Sequence, residues 1–173
     1  MLIAFGVLVV AIAAVLIMAA ARPDDFHVER STVIAAPPAK IHPLIADFHR
    51  WTAWSPYEKY DAEMKRSYTG SPSGKGAVYE WQGNSKVGQG RMEVTDDPSS
   101  EVVIKLDFYK PWEAHNTARF AMTPEGAGTR VVWSMDGPSP FMAKVMGLFM
   151  NMDNLIGRDF EAGLANLKAA AEQ

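Results

Sequence analysis

The chain has 173 residues, of which 17 are Lys or Arg and 20 are Asp or Glu, so its net charge is −3. With no basic block, this charge balance means that nucleic acid is not the expected partner. The chain also has no cysteine, which excludes disulfides, thiolate nucleophiles and zinc sites built from thiolates.

The chain begins with an apolar segment, because residues 2–21 contain no Asp, Glu, Lys or Arg. A helix of about 20 residues rises ~30 Å, which matches the hydrocarbon thickness of a bilayer. The sequence therefore predicts a transmembrane helix or signal anchor over residues 1–21, a short linker over 22–25 and one domain over 26–173. A cleaved signal peptide with its cleavage site at Ala19, Ala20 and Ala21 is the alternative.

The domain begins with a predicted strand and a short helical region. Residues 26–34 are rich in β-branched side chains and run into Pro37 and Pro38, which is typical of a strand followed by a turn. Apolar residues then recur every three or four positions over residues 39–54, which is helical spacing. Because Pro43 lies inside this stretch, the sequence predicts one helix, or two short helices with a bend.

Six segments with alternating apolar and polar residues follow, each ending in turn-forming residues. Charged side chains such as Glu80, Asp107 and Arg119 fall on the face opposite the apolar one. This pattern is typical of an antiparallel meander with one face on the core. Gly88 and Gly90 fall on the apolar face of their strand, which indicates a strongly curved sheet.

The last segment, residues 141–171, is predicted to form one long amphipathic helix. Its apolar stripe includes Phe149, Met152, Ile156 and Phe160 at steps of three and four. This stripe and the apolar face of the sheet each need a partner. The sequence therefore predicts an α+β helix-grip fold, in which a curved seven-stranded antiparallel sheet surrounds one long C-terminal helix.

Five strings resemble a known family in the same order and spacing. They are VERSTVIAAP (residues 28–37), DFHRWTAWSPYE (47–58), GKGAVYEWQGN (74–84), VVWSMDG (131–137) and GLFMNMDNLIGRDFEAGLANLK (147–168). Over nearly the whole soluble domain, they resemble the bacterial polyketide cyclase/dehydrase-like branch of the START and Bet v 1 (SRPBCC) superfamily.

This resemblance implies a Bet v 1-like fold with the same order of elements as the pattern analysis. It brings no invariant catalytic residues, and the superfamily includes lipid carriers, polyketide cyclases, quinone-binding proteins and chaperone-ATPase activators. Because the family that the chain resembles is bacterial, the expected location of a single-pass anchor is the bacterial inner membrane. Arg22 and Arg30 do not decide on which side of that membrane the domain lies.

A curved sheet closed by one helix can leave an apolar cavity, which is a typical small-molecule site. The inward-facing side chains predicted to line it are Tyr68, Tyr79, Trp81, Met92, Phe108, Phe120, Trp133, Met135, Met152, Ile156 and Phe160. For each of these residues, an ordinary filled core is the alternative interpretation.

Four further residues are candidates at the edge of this cavity. Arg66 and Arg30 have inward parity, so either could hold an acidic headgroup or else reach out to solvent. Trp54 and Tyr57 lie in a predicted loop, where they could form a lid or an interfacial anchor. Core packing is the alternative for Trp54.

Titratable side chains give weaker signals. The histidines His27, His42, His49 and His115 lack the spacing of metal ligands, so neither a metal site nor a cofactor is predicted. Glu58, Asp61 and His49 could supply acid–base chemistry near a cavity mouth. The sequence favours the simpler interpretation that these three residues lie in solvated loops.

Together these patterns predict a membrane-tethered domain that binds a hydrophobic small molecule, lipid-like or isoprenoid, in an internal cavity. Water disfavours each exposed methylene by about 0.8 kcal/mol, so such a ligand is available mainly from the bilayer. The expected partners are this ligand and the membrane, with no nucleic acid and no protein partner specified. The alternatives are a cyclase/dehydrase-type enzyme acting on an aromatic or polyketide-like substrate, and a protein-interaction module resembling chaperone-ATPase activators.

Overall fold

A computed structural model describes the backbone of residues 2–173 and the side chains of residues 6–173. The helices are α1 (Leu2–Ala20), α2 (Pro38–Ala46), α3 (Phe141–Gly147) and α4 (Met152–Ala171), with short 3₁₀ helices at Phe48–Ala53 and Pro56–Lys59. The strands are β1 (Asp25–Ile34), β2 (Lys65–Gly70), β3 (Ala77–Gln82), β4 (Gln89–Asp96), β5 (Glu101–Lys110), β6 (Ala114–Glu125) and β7 (Gly128–Pro138).

The seven strands form one antiparallel sheet in the order β1-β7-β6-β5-β4-β3-β2. β1 pairs with β7 from Asp25 opposite Pro138 to Ile34 opposite Thr129, so the start of the domain lies beside its last strand. On the concave face of the sheet, α4 packs chiefly against β1. The predicted seven-stranded helix-grip, Bet v 1-like fold is confirmed.

The sheet bends where β4 begins, as its glycines predict. The pairing of β4 with β5 shifts register between Gln89 and Gly90, and Gly88 has a φ of +66°. A Cβ added to Gly90 would lie 2.4 Å from the carbonyl oxygen of Asp107 and 2.5 Å from the ring of Trp81. Only glycine therefore allows the indole to cross this strand.

The predicted single helix over residues 141–171 is wrong, because the chain breaks between α3 and α4. Residues 148–151 form the break, and the Asn151 side chain caps α4 by accepting a hydrogen bond from the Asn154 backbone N–H at 3.0 Å. Asparagine is a preferred N-cap because it satisfies a backbone donor that the first turn leaves free. As a result Phe149, predicted to be part of the apolar stripe, is exposed.

The N-terminal segment forms α1, which packs against α3. Ala19 is buried, whereas most larger apolar side chains of the described part of α1 are exposed. The sequence predicts a membrane span here. Across the described residues, however, none of the helices combines the length and the apolar character needed to cross a bilayer.

Candidate functional site

One half of the concave face is closed by interlocking aromatic rings. Trp133 stacks on Phe160 with ring centroids 4.0 Å apart and on Phe120 at 4.8 Å, and Trp54 meets Trp133 edge-on at 5.7 Å. A Cβ at Gly163 would lie 2.6 Å from the Trp133 ring, so this glycine lets α4 approach the indole. These contacts pack this half of the face tightly, and Trp133 Nε1 is buried there without a hydrogen-bond acceptor among the described residues.

The other half of the concave face is open. Phe26, Leu106, Phe108 and Ile156 pack against the core but remain partly exposed. Asp107, which lies between Leu106 and Phe108 on the opposite face of β5, is buried. The partial exposure of Leu106 and Phe108 is therefore not shared by every residue near this end of the strand. The structure therefore divides the face into a closed half around Trp133 and an open half around these four residues.

The strand register shows what borders the open half. One row of cross-strand neighbours on the concave face consists of Tyr79, Met92, Leu106 and Asn116. Towards β1, Phe26 pairs with Gly137 of β7. The next row towards the strand ends consists of Trp81, Gly90, Phe108 and Ala114. At the same end of the sheet, an open depression of about 490 Å³ lies on the outward face, where His27, His115 and Asp136 line it, and another of about 450 Å³ lies between the β3–β4 hairpin and the end of β5.

Asn116 places an unpartnered polar atom in the open half. Its side chain is buried, and its Oδ1 accepts no hydrogen bond from any described residue. Its Nδ2 has only a weak contact with Met135 Sδ at 3.9 Å. Buried polar atoms without a partner are uncommon and call for a water or a ligand. Asn116 was not among the predicted site residues, although its inward parity on β6 was a signal for it.

A buried carboxyl group lies next to the open half. Glu58 Oε1 accepts a hydrogen bond from the Tyr79 hydroxyl at 2.7 Å, and Glu58 Oε2 accepts one from Arg66 Nε at 2.7 Å. The prediction that Glu58 lies in a solvated loop is wrong, because its 3₁₀ helix turns the side chain inwards to two partners on β2 and β3. Glu58 thus places a carboxyl group inside the domain, beside the concave face.

Burial and hydrogen bonding shift the acidity of the groups around Glu58. Burial raises the pKa of Tyr79, and the hydrogen bond to Glu58 raises it further. The pKa of Tyr68 is also raised, mainly by burial, and its ring stacks on His49 at 4.1 Å. The hydrogen bond to Glu58 raises the pKa of Arg66. Both tyrosines are therefore hydroxyl donors at neutral pH.

Both predicted headgroup residues already have carboxylate partners. Arg30 donates from Nε to Glu161 at 2.8 Å and from Nη2 to Asp153 at 3.0 Å, both on α4. A Cβ at Gly157 would lie 2.0 Å from Arg30 Nη2, so the guanidinium crosses the helix where there is no side chain. Since Arg66 pairs with Glu58, an acidic headgroup would have to displace a carboxylate from either arginine.

The predicted lid is a fixed connection between α4 and the core. Trp54 is fully buried, and its Nε1 donates to the Leu44 carbonyl oxygen at 2.8 Å. Asn166 on α4 donates to the Trp54 carbonyl oxygen at 3.0 Å. Trp54 is thus a core residue, which was the alternative to a lid or anchor. Tyr57 is partly buried against the core. Burial raises the pKa of Tyr57.

The structure brings most of the predicted cavity residues to the concave face, but not to one space. Phe120, Trp133 and Phe160 belong to the closed half. The residues that border the open half are Tyr79, Trp81, Met92, Phe108, Met135 and Ile156. Tyr68 lies at the edge beside Tyr79. Met152 is exposed at the start of α4, because the helix begins there.

The outward face carries two histidine–aspartate pairs. His27 Nδ1 lies 2.6 Å from Asp136 Oδ1, and His115 Nδ1 lies 2.7 Å from Asp107 Oδ1. These hydrogen bonds raise the pKa of each histidine. Among the described residues, no three His, Asp or Glu side chains are grouped so that they could hold a metal ion.

Comparison with known proteins agrees with this architecture. Residues 25–172 match the family model described as polyketide cyclase / dehydrase and lipid transport. No curated protein sequence matches the chain.

Solved structures share the fold at low identity. The KanY protein superimposes with a TM-score of 0.63 at 18% identity, covering 86% of this chain and 99% of KanY. The di-domain ARO/CYC StfQ from the steffimycin biosynthetic pathway gives 0.62 at 13%, covering 86% of this chain and 51% of StfQ. The Aha1 dimer from Colwellia psychrerythraea gives 0.56 at 17%, covering 85% of this chain and 96% of that one. By its sequence match, and in accord with its fold, the chain belongs to the polyketide cyclase/dehydrase and lipid transport family within the SRPBCC superfamily.

Proposed function

We propose that this domain binds a hydrophobic small molecule, lipid-like or isoprenoid, in the open half of its concave face. The observation that carries the proposal is Asn116, whose buried Oδ1 lacks a donor among the described residues, while the partly exposed Leu106 is its cross-strand neighbour and Phe26 lies beside it at Gly137. Small-molecule sites combine such apolar walls with a few polar groups that orient the ligand. The ligand would present a hydroxyl or N–H to Asn116 and an apolar body to Leu106, Phe108 and Ile156.

We further propose that α1 attaches the domain to a membrane, with the bacterial inner membrane as its location. Val7, Leu8, Val10, Ile12 and Ile17 are all exposed on α1, and no charged residue lies among residues 2–21. A large exposed apolar surface marks a site of contact with lipid or protein. Attachment would keep the domain beside the phase in which a poorly water-soluble ligand dissolves.

The test is to recover the ligand. The full-length protein is purified in detergent from its native host, examined by native mass spectrometry, and extracted with organic solvent. The proposal predicts a stoichiometric apolar molecule of low molecular mass. A ligand-free protein that also binds no fatty acid, phospholipid or isoprenoid quinone would contradict it.

A matched pair of variants locates the site. Leu106→Trp places an indole in the open half, whereas Lys105→Trp places the same group on the opposite, exposed face of the same strand. The proposal predicts that Leu106→Trp loses the bound molecule and that Lys105→Trp keeps it. Equal occupancy in both folded variants would place the ligand elsewhere.

A cyclase/dehydrase-type enzyme acting on an aromatic or polyketide-like substrate is the second candidate, and Glu58 is the observation that favours it. A carboxyl group buried beside Tyr79 and Arg66 could move a proton to or from a substrate in the open half. The test is to incubate the protein with a poly-β-ketone mimic and analyse the products. Product formation that Glu58→Gln abolishes while binding persists supports an enzyme, and unchanged substrate contradicts it.

A further inference from the structure

One end of the sheet carries exposed apolar side chains from three separate segments. We call this the apolar end surface. It consists of Phe141, Met142, Met146, Phe149 and Met150 on α3 and the break after it, Met152 and Leu155 on the first turn of α4, and Tyr109 and Trp112 around the β5–β6 turn. Trp112 is 77% exposed, Phe149 74% and Met142 67%. Exposed aromatic and apolar residues in such a group mark a binding surface.

The strand register brings these segments to one end of the sheet. β7 ends at Pro138, opposite Asp25 at the start of β1, and α3 follows directly. β6 begins at Ala114, opposite Phe108 near the end of β5, so the β5–β6 turn lies at this end too. From β1 to β5 there are three strand spacings, or about 14 Å. The apolar end surface is therefore a single region of the molecule.

The N-terminal helix joins the domain at the same place. Only residues 21–24 separate α1 from β1, and four residues span at most about 14 Å. Lys144 on α3 forms an ion pair with Asp24, and a Cβ on Gly147 would lie 2.8 Å from Arg22 Nη1. These contacts hold α3 beside the end of α1, so the exposed apolar side chains of the two helices adjoin.

We infer that the apolar end surface docks on a lipid bilayer, an inference that rests on the proposed attachment through α1. Its composition suits the boundary between headgroups and acyl chains, where Trp and Tyr are enriched and apolar side chains enter the lipid. Lys86 in the β3–β4 turn and Lys110 at the end of β5, both exposed, also lie at this end and would face lipid phosphates. A protein partner on this surface would instead have to accommodate the apolar α1 helix that leaves the domain there.

Docking in this orientation turns the open half of the concave face towards the lipid. Phe26 lies one residue from the start of β1, and Phe108 lies two residues from the end of β5. Both partly exposed rings are therefore at the docked end of the sheet. A hydrophobic ligand could pass between the bilayer and the concave face without crossing bulk water.

The absence of cysteine from the chain allows clean single-cysteine labelling. Single cysteines replace Met142, Phe149 or Trp112 on the apolar end surface, and carry an environment-sensitive fluorophore. Matched control cysteines replace Ser99 and Ala127, which are exposed in turns at the opposite end of the sheet. A cysteine at Ala13 reports on α1. The full-length protein is reconstituted into vesicles of phosphatidylcholine and phosphatidylglycerol, and quenching by iodide is measured.

Docking predicts a blue-shifted emission and severalfold weaker quenching at residues 142, 149 and 112 than at 99 and 127. Equal quenching at all five positions with a shielded label at Ala13 would overturn docking and leave attachment through α1 intact. An unshielded label at Ala13 would overturn both, whereas ligand binding is measured separately by extraction. Shielding that rises with protein concentration in lipid-free detergent would identify a second copy as the occupant and also overturn docking.

A double substitution tests whether the surface acts as a unit. Met142→Asp with Phe149→Asp adds two charges at exposed positions, so the fold should persist, and circular dichroism checks that it does. Docking predicts that this change restores iodide quenching of the label at Trp112, on a different segment, while Ala13 stays shielded. Ser99→Asp with Ala127→Asp should leave the label at Trp112 shielded. If iodide quenches the label at Trp112 equally in the two double variants, docking is wrong.

Discussion

Replacing Asn116 by leucine should make the ligand-free protein more stable and its binding weaker. Leucine has the same number of side-chain heavy atoms as asparagine and removes the unpartnered Oδ1. A buried acceptor without a donor costs about 1–3 kcal/mol, and the 3.9 Å contact of Nδ2 with Met135 offsets little of this. We expect Asn116→Leu to raise the free energy of unfolding by about 1 kcal/mol, or the melting temperature by about 2–4 °C.

The same substitution should weaken binding of the extracted ligand. One lost hydrogen bond is worth about 0.5–1.5 kcal/mol, which corresponds to a roughly twofold to tenfold higher Kd. Urea unfolding of the delipidated protein and ligand titration monitored by tryptophan fluorescence measure the two effects.

Asn166→Leu is the matched control, because Asn166 donates to the Trp54 carbonyl oxygen and its loss should destabilise the protein. If Asn116→Leu is also destabilised, or binds the ligand unchanged, the role assigned to Oδ1 is wrong.

Three further predictions test the packing and the electrostatics. Tyr79→Phe should lower the free energy of unfolding by about 1.5–3 kcal/mol. When the same substitution is made in the Glu58→Gln variant, urea unfolding should show a loss that is smaller by at least about 0.5 kcal/mol. Equal losses in the two backgrounds would mean that the two side chains are not coupled. Gly90→Ala should cost about 1–3 kcal/mol by overpacking against the paired indole, and a wild-type urea midpoint would refute that contact. In the folded state, the aspartate partners of His27 and His115 raise the pKa of both histidines. The stability that these two pairs give to the fold is therefore complete below about pH 6.5, the pKa of a free histidine, and is lost as the pH rises through the pKa values of the folded state. The His27→Gln and His115→Gln variants should therefore lose less stability than the wild type between pH 6 and pH 8, about the range over which histidine titrates, and parallel profiles would contradict this.

The order of the elements could be predicted because each strand alternates and each turn carries Gly, Pro, Asn or Asp. Gly90 even indicated the bend, since a glycine on the apolar face of a strand leaves a gap that a neighbouring ring can fill. The boundary between α3 and α4 was missed. Gly147 and the capping residue Asn151 were signals for this boundary, but apolar residues kept their helical spacing across both positions and concealed it.

The site could be predicted less well, because its chemistry depends on long-range contacts. Glu58 stands among the polar residues of a turn, and only its partners on β2 and β3 make it a buried group. Likewise Arg30 has inward parity, but it is bound at the surface because Gly157 leaves space for it on α4. Parity placed the aromatic residues on the correct face without showing that Trp133 and Phe160 would stack and close half of it.

Methionine methyl resonances report directly on ligand binding in the open half. Met92 and Met135 border it, whereas Met122 is buried further towards the opposite end of the sheet. A short-chain isoprenoid quinone and a long-chain fatty acid are titrated into delipidated, methyl-labelled full-length protein in detergent. Binding in the open half predicts that at least one of them shifts the Met92 and Met135 resonances saturably and leaves the Met122 resonance in place. If neither probe shifts Met92 and Met135, or if Met122 shifts as much as they do, the open half of the concave face is not the binding site.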